Sequence, residues 1–147
     1  ENADDPVGWP EATLAEDVAL MLPDGAALTR RAVCFDAELR AKILSGGVDP
    51  TREVYLVTRS PELRVRTWRS GDRFRPLGAP GSGKLQDQFV NRKIPVNVRG
   101  VLPLIIDDGG TILWIPGFPP AEESKLTDDS VKGVHLTYET GTYTVRP

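Results

Sequence analysis

Residues 68–78 read WRSGDRFRPLG, and residues 84–95 read KLQDQFVNRKIP. Both segments combine closely spaced arginines and lysines with aromatic residues. Glycine and proline interrupt regular structure, so the stretch from residue 70 to residue 83 predicts a loop. In the second segment, Leu85 and Phe89 are four residues apart, as on one face of a helix, and Pro95 ends the pattern. We therefore expect a loop that leads into a short helix over residues 84–92.

The positive charge of the chain is concentrated around these two segments. Residues 59–99 contain ten basic and three acidic side chains, whereas the rest of the chain contains eight basic and eighteen acidic ones. The net charge of −3 conceals this segregation. A concentrated basic patch attracts phosphate groups whatever the net charge of the protein. The alternative is a solvated surface without a ligand, which is the usual role of charged runs.

Length and composition bound the kind of protein. A chain of 147 residues fits one domain, or one domain with an appendage, and its 14 glycines and 13 prolines favour short elements and many turns. No apolar run approaches the roughly 18 residues that a membrane span needs, and the acidic start shows no signal peptide. The single Cys34 suits a reducing cytoplasm. One cysteine and one histidine cannot form a structural zinc site, so we expect no metal.

The hydrophobic periodicity predicts a strand-rich α+β domain with two or three short helices. We expect one helix over residues 12–22, with Thr13 as its cap, and another over residues 37–44, capped by Asp36. His135 falls in an alternating segment and is interpreted as a structural strand residue. The expected strands are residues 31–35, 53–58 and 63–68, a hairpin of 102–107 with 111–115, and a second hairpin of 131–138 with 142–145.

Two short motifs imitate nucleotide-binding loops. Residues 78–84, GAPGSGK, match most of the phosphate-binding P-loop, but Leu85 replaces the hydroxyl that would hold magnesium. Residues 45–50, SGGVDP, resemble an ATP-pyrophosphatase loop, but they follow a predicted helix, so we interpret them as a helix end and turn. For residues 81–84 two readings stay open, a phosphate site at the start of the next helix or a plain turn.

Residues 63–115 resemble the C-terminal domain of bacterial tRNA(Ile)-lysidine synthases. The pattern of that family is roughly R-x-W-x-x-G-D-R-F-x-P-L-G, then K-L-x-D-x-F-x-x-x-K-I-P, then W-x-P-G. The chain matches it, in order, at Arg66, Trp68, Gly71, Asp72, Arg73, Phe74, Pro76, Leu77, Gly78, Lys84, Leu85, Asp87, Phe89, Lys93, Ile94, Pro95, Trp114, Pro116 and Gly117.

The resemblance implies a layered α+β fold with a small β-sandwich, similar to one in the phenylalanyl-tRNA synthetase beta subunit. It implies a tRNA-binding domain over residues 59–147, preceded by a lead-in segment, residues 1–58, that belongs either to the same domain or to a preceding one. The parent enzyme, as the family implies, is a cytoplasmic ligase that uses ATP and lysine to modify the wobble cytidine of isoleucine tRNA. Its catalytic domain, with ATP and magnesium, is not found in this sequence. The fragment is therefore expected to have no catalytic residues or cofactor of its own.

The implied role is to hold tRNA, around its acceptor stem, for the enzyme's own N-terminal catalytic domain. Duplex RNA is gripped through phosphates and 2′-hydroxyls more than through base edges, and arginine can fork onto phosphate. Asp72 is expected to order the loop by pairing with an arginine or capping backbone N–H groups, and Trp68, Phe74 and Phe89 are expected in the core. The expected tRNA-binding residues are Arg64, Arg66, Arg69, Arg73, Arg75, Lys84, Arg92, Lys93 and Arg99.

A second hypothesis is a structural module that contacts other domains and binds RNA weakly or not at all. The chain has Val96 where the family often has arginine, and residues 118–123 are apolar and acidic. Salt dependence of RNA binding separates the two hypotheses, because a phosphate binder loses affinity steadily as salt rises.

Overall fold

The structure is a computed structural model that describes residues 9–127 and 129–140. It is an α+β arrangement of short elements. The strands are β1 (Ala12–Thr13), β2 (Leu20–Met21), β3 (Ala27–Cys34), β4 (Glu53–Leu56), β5 (Arg64–Arg66), β6 (Arg73–Phe74), β7 (Gly83–Lys84), β8 (Leu104–Ile106), β9 (Ile112–Trp114) and β10 (Lys132–Glu139). The helices are α1 (Ala37–Leu44), α2 (Leu85–Asn91) and α3 (Val96–Arg99), with a 3₁₀ turn at Glu122–Ser124. In the described part of the chain, every helix is too short and too polar to span a bilayer.

Two four-stranded antiparallel sheets form the centre of the fold. The first has the order β1-β5-β8-β9, and the second has the order β2-β3-β10-β4. Strand β10 pairs along its whole length with β3 and along half of it with β4. The facing sides of both sheets supply one apolar core, which confirms the predicted small β-sandwich. The buried members of this core are Leu14, Leu22, Ala26, Leu28, Val54, Leu56, Leu63, Val65, Ile105, Leu113, Trp114 and Leu136.

A second core lies on the other side of the first sheet. Helix α2 directs Leu85 and Phe89 into it, as their four-residue spacing predicted. Trp68 and Phe74 are also buried there, so all three aromatic residues expected in the core are confirmed in it. Trp68 and Phe118 each meet Phe89 edge to face, at ring-centroid separations of 5.8 and 6.1 Å. Because β8 and β9 have cores on both sides, every residue of these two strands is buried.

The predicted helix over residues 12–22 was wrong. That segment contains β1, a turn in which Asp17 has a φ of 65°, and β2. Ala12 and Thr13 pair with Val65 and Arg64 of β5, and Leu14 and Leu22 enter the sandwich core. Pairing with distant strands therefore overrides the weak local helical pattern, as tertiary context often does.

Other local predictions were confirmed. Asp36 caps α1 by accepting a 2.8 Å hydrogen bond from the Leu39 amide. The hairpin expected at 102–107 and 111–115 forms, with shorter strands at 104–106 and 112–114. The Asp107 carboxylate closes the turn of this hairpin by accepting from the Gly109 and Thr111 amides at 3.0 and 2.9 Å. The strand expected at 31–35 begins earlier, at Ala27. The predicted strand at 142–145 lies outside the described residues.

The lead-in segment and the rest of the chain share the sandwich. Strand β1 pairs with β5, and β3 and β4 both pair with β10. Residues on both sides of the 58/59 boundary contribute side chains to the same core. We therefore describe them as one packed unit.

Candidate nucleic-acid interface

Strand β5 separates apolar from charged side chains by simple alternation. Val65 points into the sandwich core, and Arg64 and Arg66 project from the other side of the strand. The chain then turns at Gly71, whose φ is 94°, and enters β6. This local course places Arg66, Arg69 and Asp72 close together.

Asp72 is the centre of a tight ion pair. Its two carboxylate oxygens accept hydrogen bonds from both terminal nitrogens of Arg66 at 2.8 and 2.9 Å, and one of them also accepts from the Arg69 amide at 2.8 Å. The side chains of Arg66 and Asp72 are only 9% and 12% exposed. Asp72 thus orders the loop in both ways that were expected. The Arg66 guanidinium is therefore bound within the protein and is not available to an external anion.

Glu11 directly precedes strand β1, the neighbour of β5, and it neutralises two further arginines there. Its carboxylate pairs with Arg64 and, at 3.3 Å, with Arg69, and Glu62 also pairs with Arg64 at 3.2 Å. The hydrogen bond from Arg64, helped by the charges of Arg64, Arg69 and Arg66, lowers the pKa of Glu11. We call Arg64, Arg66 and Arg69, with their carboxylates, the paired arginine cluster.

The remaining expected cations form a different group. None of them has a carboxylate within 4 Å among the described residues. We call them the open cation group; they are Arg73, Arg75, Lys84, Arg92, Lys93 and Arg99.

Neutral acceptors hold the arginines of the open cation group in place. Arg73 donates to the hydroxyl and carbonyl of Ser82 at 3.3 and 3.0 Å, and Arg75 donates to the Ala79 carbonyl at 3.0 Å. Arg92 donates to the Gly117 carbonyl at 3.1 Å and lies 4.1 Å above the centre of the Phe118 ring. Arg99 donates to the Ile94 carbonyl at 2.8 Å. A bond to a neutral acceptor orients a guanidinium and leaves its charge available to an anion.

The two strands of the β6–β7 ribbon bring two cations face to face. Arg73 and Lys84 are directly opposed partners in this antiparallel pair, so their side chains leave the ribbon on the same side. Like charges in directly opposite positions destabilise a strand pair, and an anion between them removes that repulsion. Both side chains are exposed, and Lys84 makes no hydrogen bond or ion pair within the described part of the chain.

The P-loop-like segment does not form a phosphate loop. Gly83 and Lys84 are in β7, and the first helical amide, that of Leu85, already donates to the Asp72 carbonyl at 2.9 Å. The Gly78 amide donates to the Glu122 carboxylate at 2.9 Å. That bond and the ammonium of Lys125, with a smaller contribution from Arg75, lower the pKa of Glu122. The segment therefore differs from a P-loop in two ways: these two amides are already occupied, and Lys84 lies in a strand and not in the first turn of a helix.

Sequence reasoning missed the role of Glu11. This residue lies 53 positions before Arg64 and directly before the segment, residues 12–22, that was expected to be helical. The missing signal was the pairing of β1 with β5, which puts Glu11 beside the arginines. A correct strand prediction for residues 12–13 could have supplied it.

Comparisons with known proteins agree with this architecture. The family described as "TilS substrate C-terminal domain" matches residues 63–137, just over half of the chain. The chain belongs to this family. The earlier resemblance to tRNA(Ile)-lysidine synthases is thus confirmed for the family and the fold.

Relatives and a solved structure extend the match beyond the family's core. A tRNA(Ile)-lysidine synthase of Oceanobacillus iheyensis is 34% identical over 120 residues, which is 82% of this chain and 24% of that protein. A synthase of Symbiobacterium thermophilum is 51% identical over 55 residues, 37% of this chain and 11% of that protein. A crystal structure of a TILS C-terminal domain superposes with a TM-score of 0.73 at 27% identity, covering 89% of this chain and 96% of that one. The chain therefore spans about a quarter or less of the length of these synthases.

Proposed function

We propose that this chain is the tRNA-holding part of a tRNA(Ile)-lysidine synthase. Its family and its relatives' names support the assignment. The ligation of lysine to the wobble cytidine, with ATP and magnesium, then belongs to a catalytic domain of the parent protein, and this part is not catalytic alone. The partners are the tRNA, through its acceptor-stem region, and that catalytic domain, and the compartment is the cytoplasm.

The observation that carries the RNA-binding proposal is the opposed pair of Arg73 and Lys84. The fold places two cations at directly opposed positions of a strand pair, although carboxylates neutralise the arginines of the neighbouring cluster. An RNA phosphate on this side of the ribbon offsets that repulsion. Arg92 shares a surface groove with Gly83 of β7, and Lys93 and Arg99 follow Arg92 in the chain.

The interface that we propose contains fewer arginines than the set expected from the sequence. Arg66 serves the fold through Asp72 and does not contact RNA. Arg64 and Arg69 contribute only when an RNA phosphate displaces Glu11. The open cation group supplies the main contacts.

The test is a titration of the chain with isoleucine tRNA over a series of salt concentrations. A phosphate binder shows a linear fall of log affinity with log salt, and each lost phosphate contact lowers the slope by about 1. We expect such a slope for the wild type and a smaller one for Arg73→Ala. Weak binding that does not depend on salt would contradict the proposal.

An interdomain contact is the second candidate function, and one surface favours it. A groove of about 380 Å³ is lined mainly by apolar groups of Ile94, Val98, Leu102 and Phe118. Val96 does not line the groove, but it lies on α3 together with the groove residue Val98 and is 70% exposed. A groove of this kind fits an apolar segment of the parent protein. If it is the main function, Val96→Asp impairs modification by the full-length enzyme and leaves the salt-dependent RNA binding of this chain unchanged.

A further inference from the structure

A polar cleft beside the β6–β7 ribbon carries charges of both signs. It has a volume of about 270 Å³, and its polar lining residues are Asp72, Arg73, Arg75, Ser82, Thr111 and Glu123. The Asp72 carboxylate is already paired with Arg66. Arg73 lies in β6, and Arg75 directly follows that strand. Glu123 lies in the 3₁₀ turn. The cleft therefore lies at the edge of the open cation group.

The opposite charges in this cleft do not neutralise one another. Glu123 is exposed and has no hydrogen bond or ion pair with any other described residue. Arg73 is turned toward the neutral oxygens of Ser82. Its guanidinium nitrogens are more than 4 Å from the Glu123 carboxylate oxygens. Glu122, the neighbour of Glu123, is by contrast bound to Gly78 and Lys125. The cleft thus offers a free cation and a free carboxylate on different walls.

A ligand that satisfies both walls needs an anionic group and a hydrogen-bond donor a short distance apart. A guanidinium binds a phosphate, and a carboxylate can only accept hydrogen bonds, for which a hydroxyl is a suitable donor. A ribonucleotide has both groups, in its phosphate and its 2′-hydroxyl. A deoxyribonucleotide lacks the hydroxyl, and its phosphate still meets the repulsion of the carboxylate.

We propose that this cleft binds one ribose-phosphate unit of RNA, with the phosphate on Arg73 and the 2′-hydroxyl donating to Glu123. The volume lies below the roughly 300 Å³ at which pockets for whole small-molecule ligands begin, so it suits one sugar-phosphate unit of a longer chain. The inference rests on the proposed RNA-binding function and deepens it. Glu123 gives the domain a preference for RNA over other polyanions, because the 2′-hydroxyl distinguishes RNA from DNA.

The experiment compares two hairpins of one sequence, one of RNA and one of 2′-O-methyl RNA. The methylated hairpin keeps the A-form shape and the phosphates but loses the hydroxyl donor. Wild-type chain, Glu123→Ala and Asp87→Ala are each titrated with both hairpins over the same series of salt concentrations, and the two hairpins are compared at equal salt. Asp87→Ala is the matched control, since Asp87 is an exposed carboxylate in the first turn of α2, three residues after Lys84, and does not line the cleft.

We expect the wild type to prefer RNA over 2′-O-methyl RNA by on the order of tenfold, the worth of one hydrogen bond to a charged group. Glu123→Ala should abolish this preference. Asp87→Ala should raise affinity for both hairpins equally and preserve the preference, because it changes only the overall electrostatic potential of the surface. Equal affinity of the wild type for both hairpins, or an intact preference in Glu123→Ala, would overturn the assignment. Failure of every hairpin to bind in a salt-dependent way would instead overturn the proposed function, and the cleft assignment with it.

Discussion

The paired arginine cluster and the open cation group are neighbours in sequence and opposite in role. In the first, carboxylates from Glu11, Glu62 and Asp72 neutralise every guanidinium, and Arg66 is nearly buried. In the second, neutral carbonyls and hydroxyls orient the arginines and leave their charge free. The comparison teaches that a basic run in a sequence can contain a structural part and a binding part. The partner of each cation decides which part it belongs to.

Loss of Asp72 should produce the largest effect on stability. Asp72→Ala leaves the Arg66 guanidinium without its partner in a nearly buried position, and breaking such a pair costs about 3 kcal/mol of unfolding free energy. Urea denaturation followed by circular dichroism measures it. The control Asp87→Ala removes an exposed aspartate and should change stability by no more than about 0.5 kcal/mol. Equal losses in both variants would contradict a structural role for the paired cluster.

Loss of Lys84 should show the opposite behaviour. Lys84→Ala should leave stability within about 0.5 kcal/mol of the wild type, because the side chain is exposed and unpaired among the described residues. It should also reduce the salt slope of tRNA binding by about 1, the value for one phosphate contact. Lys132→Ala, an equally exposed lysine at the start of β10 in the second sheet, is the matched control and should keep the wild-type slope. Identical slopes for the two variants would remove the distinction between the two regions.

The boundary between the regions can be shifted by changing Glu11. Glu11→Gln removes the carboxylate that holds Arg64 and Arg69, so Arg69 joins the open cations and Arg64 keeps only Glu62 as its partner. We expect RNA affinity to rise by about threefold, since the surface becomes more positive. Filter binding measures the change, with Glu16→Gln, at an exposed acid of the same segment, as the control. A fall in affinity for Glu11→Gln would mean that Arg64 and Arg69 must stay paired for binding.

Acid should weaken the paired arginine cluster by a small amount. The folded-state pKa of Glu11 lies below its ordinary value of about 4.3. A lowered carboxyl pKa means that the stabilisation is present above the unfolded-state pKa and is lost as pH falls through the folded-state pKa. The difference in urea midpoint between wild type and Glu11→Gln should therefore be smaller at acid pH than at neutral pH. A gap between them that widens in acid would contradict this sign.

Sequence patterns sufficed where a structure is set by nearby residues. The Asp36 cap, the 104–106/112–114 hairpin and the Leu85–Phe89 pair depend on contacts within a few positions, and all three were predicted. The residues 12–22 were misjudged because two-residue strands carry almost no local signal and form only through distant partners.

The candidate site was predictable to the level of residue type. The sequence placed the cations in residues 59–99 and suggested a pairing role for Asp72. It could not separate Arg66 from Arg73, because each lies in a similar basic and aromatic setting. Only the fold brings Glu11 to one arginine group and opposes Arg73 to Lys84 across the other.

The most direct test of the account is a backbone-amide NMR map of the isotopically labelled chain during titration with an acceptor-stem RNA hairpin. The account predicts that the largest shifts fall on residues 73–75, 82–84 and 92–93, and that the amides around Arg66 stay unchanged. Shifts concentrated on β3 and β10, or equally large at Arg66, would contradict the claim that the open cation group forms the RNA-binding surface.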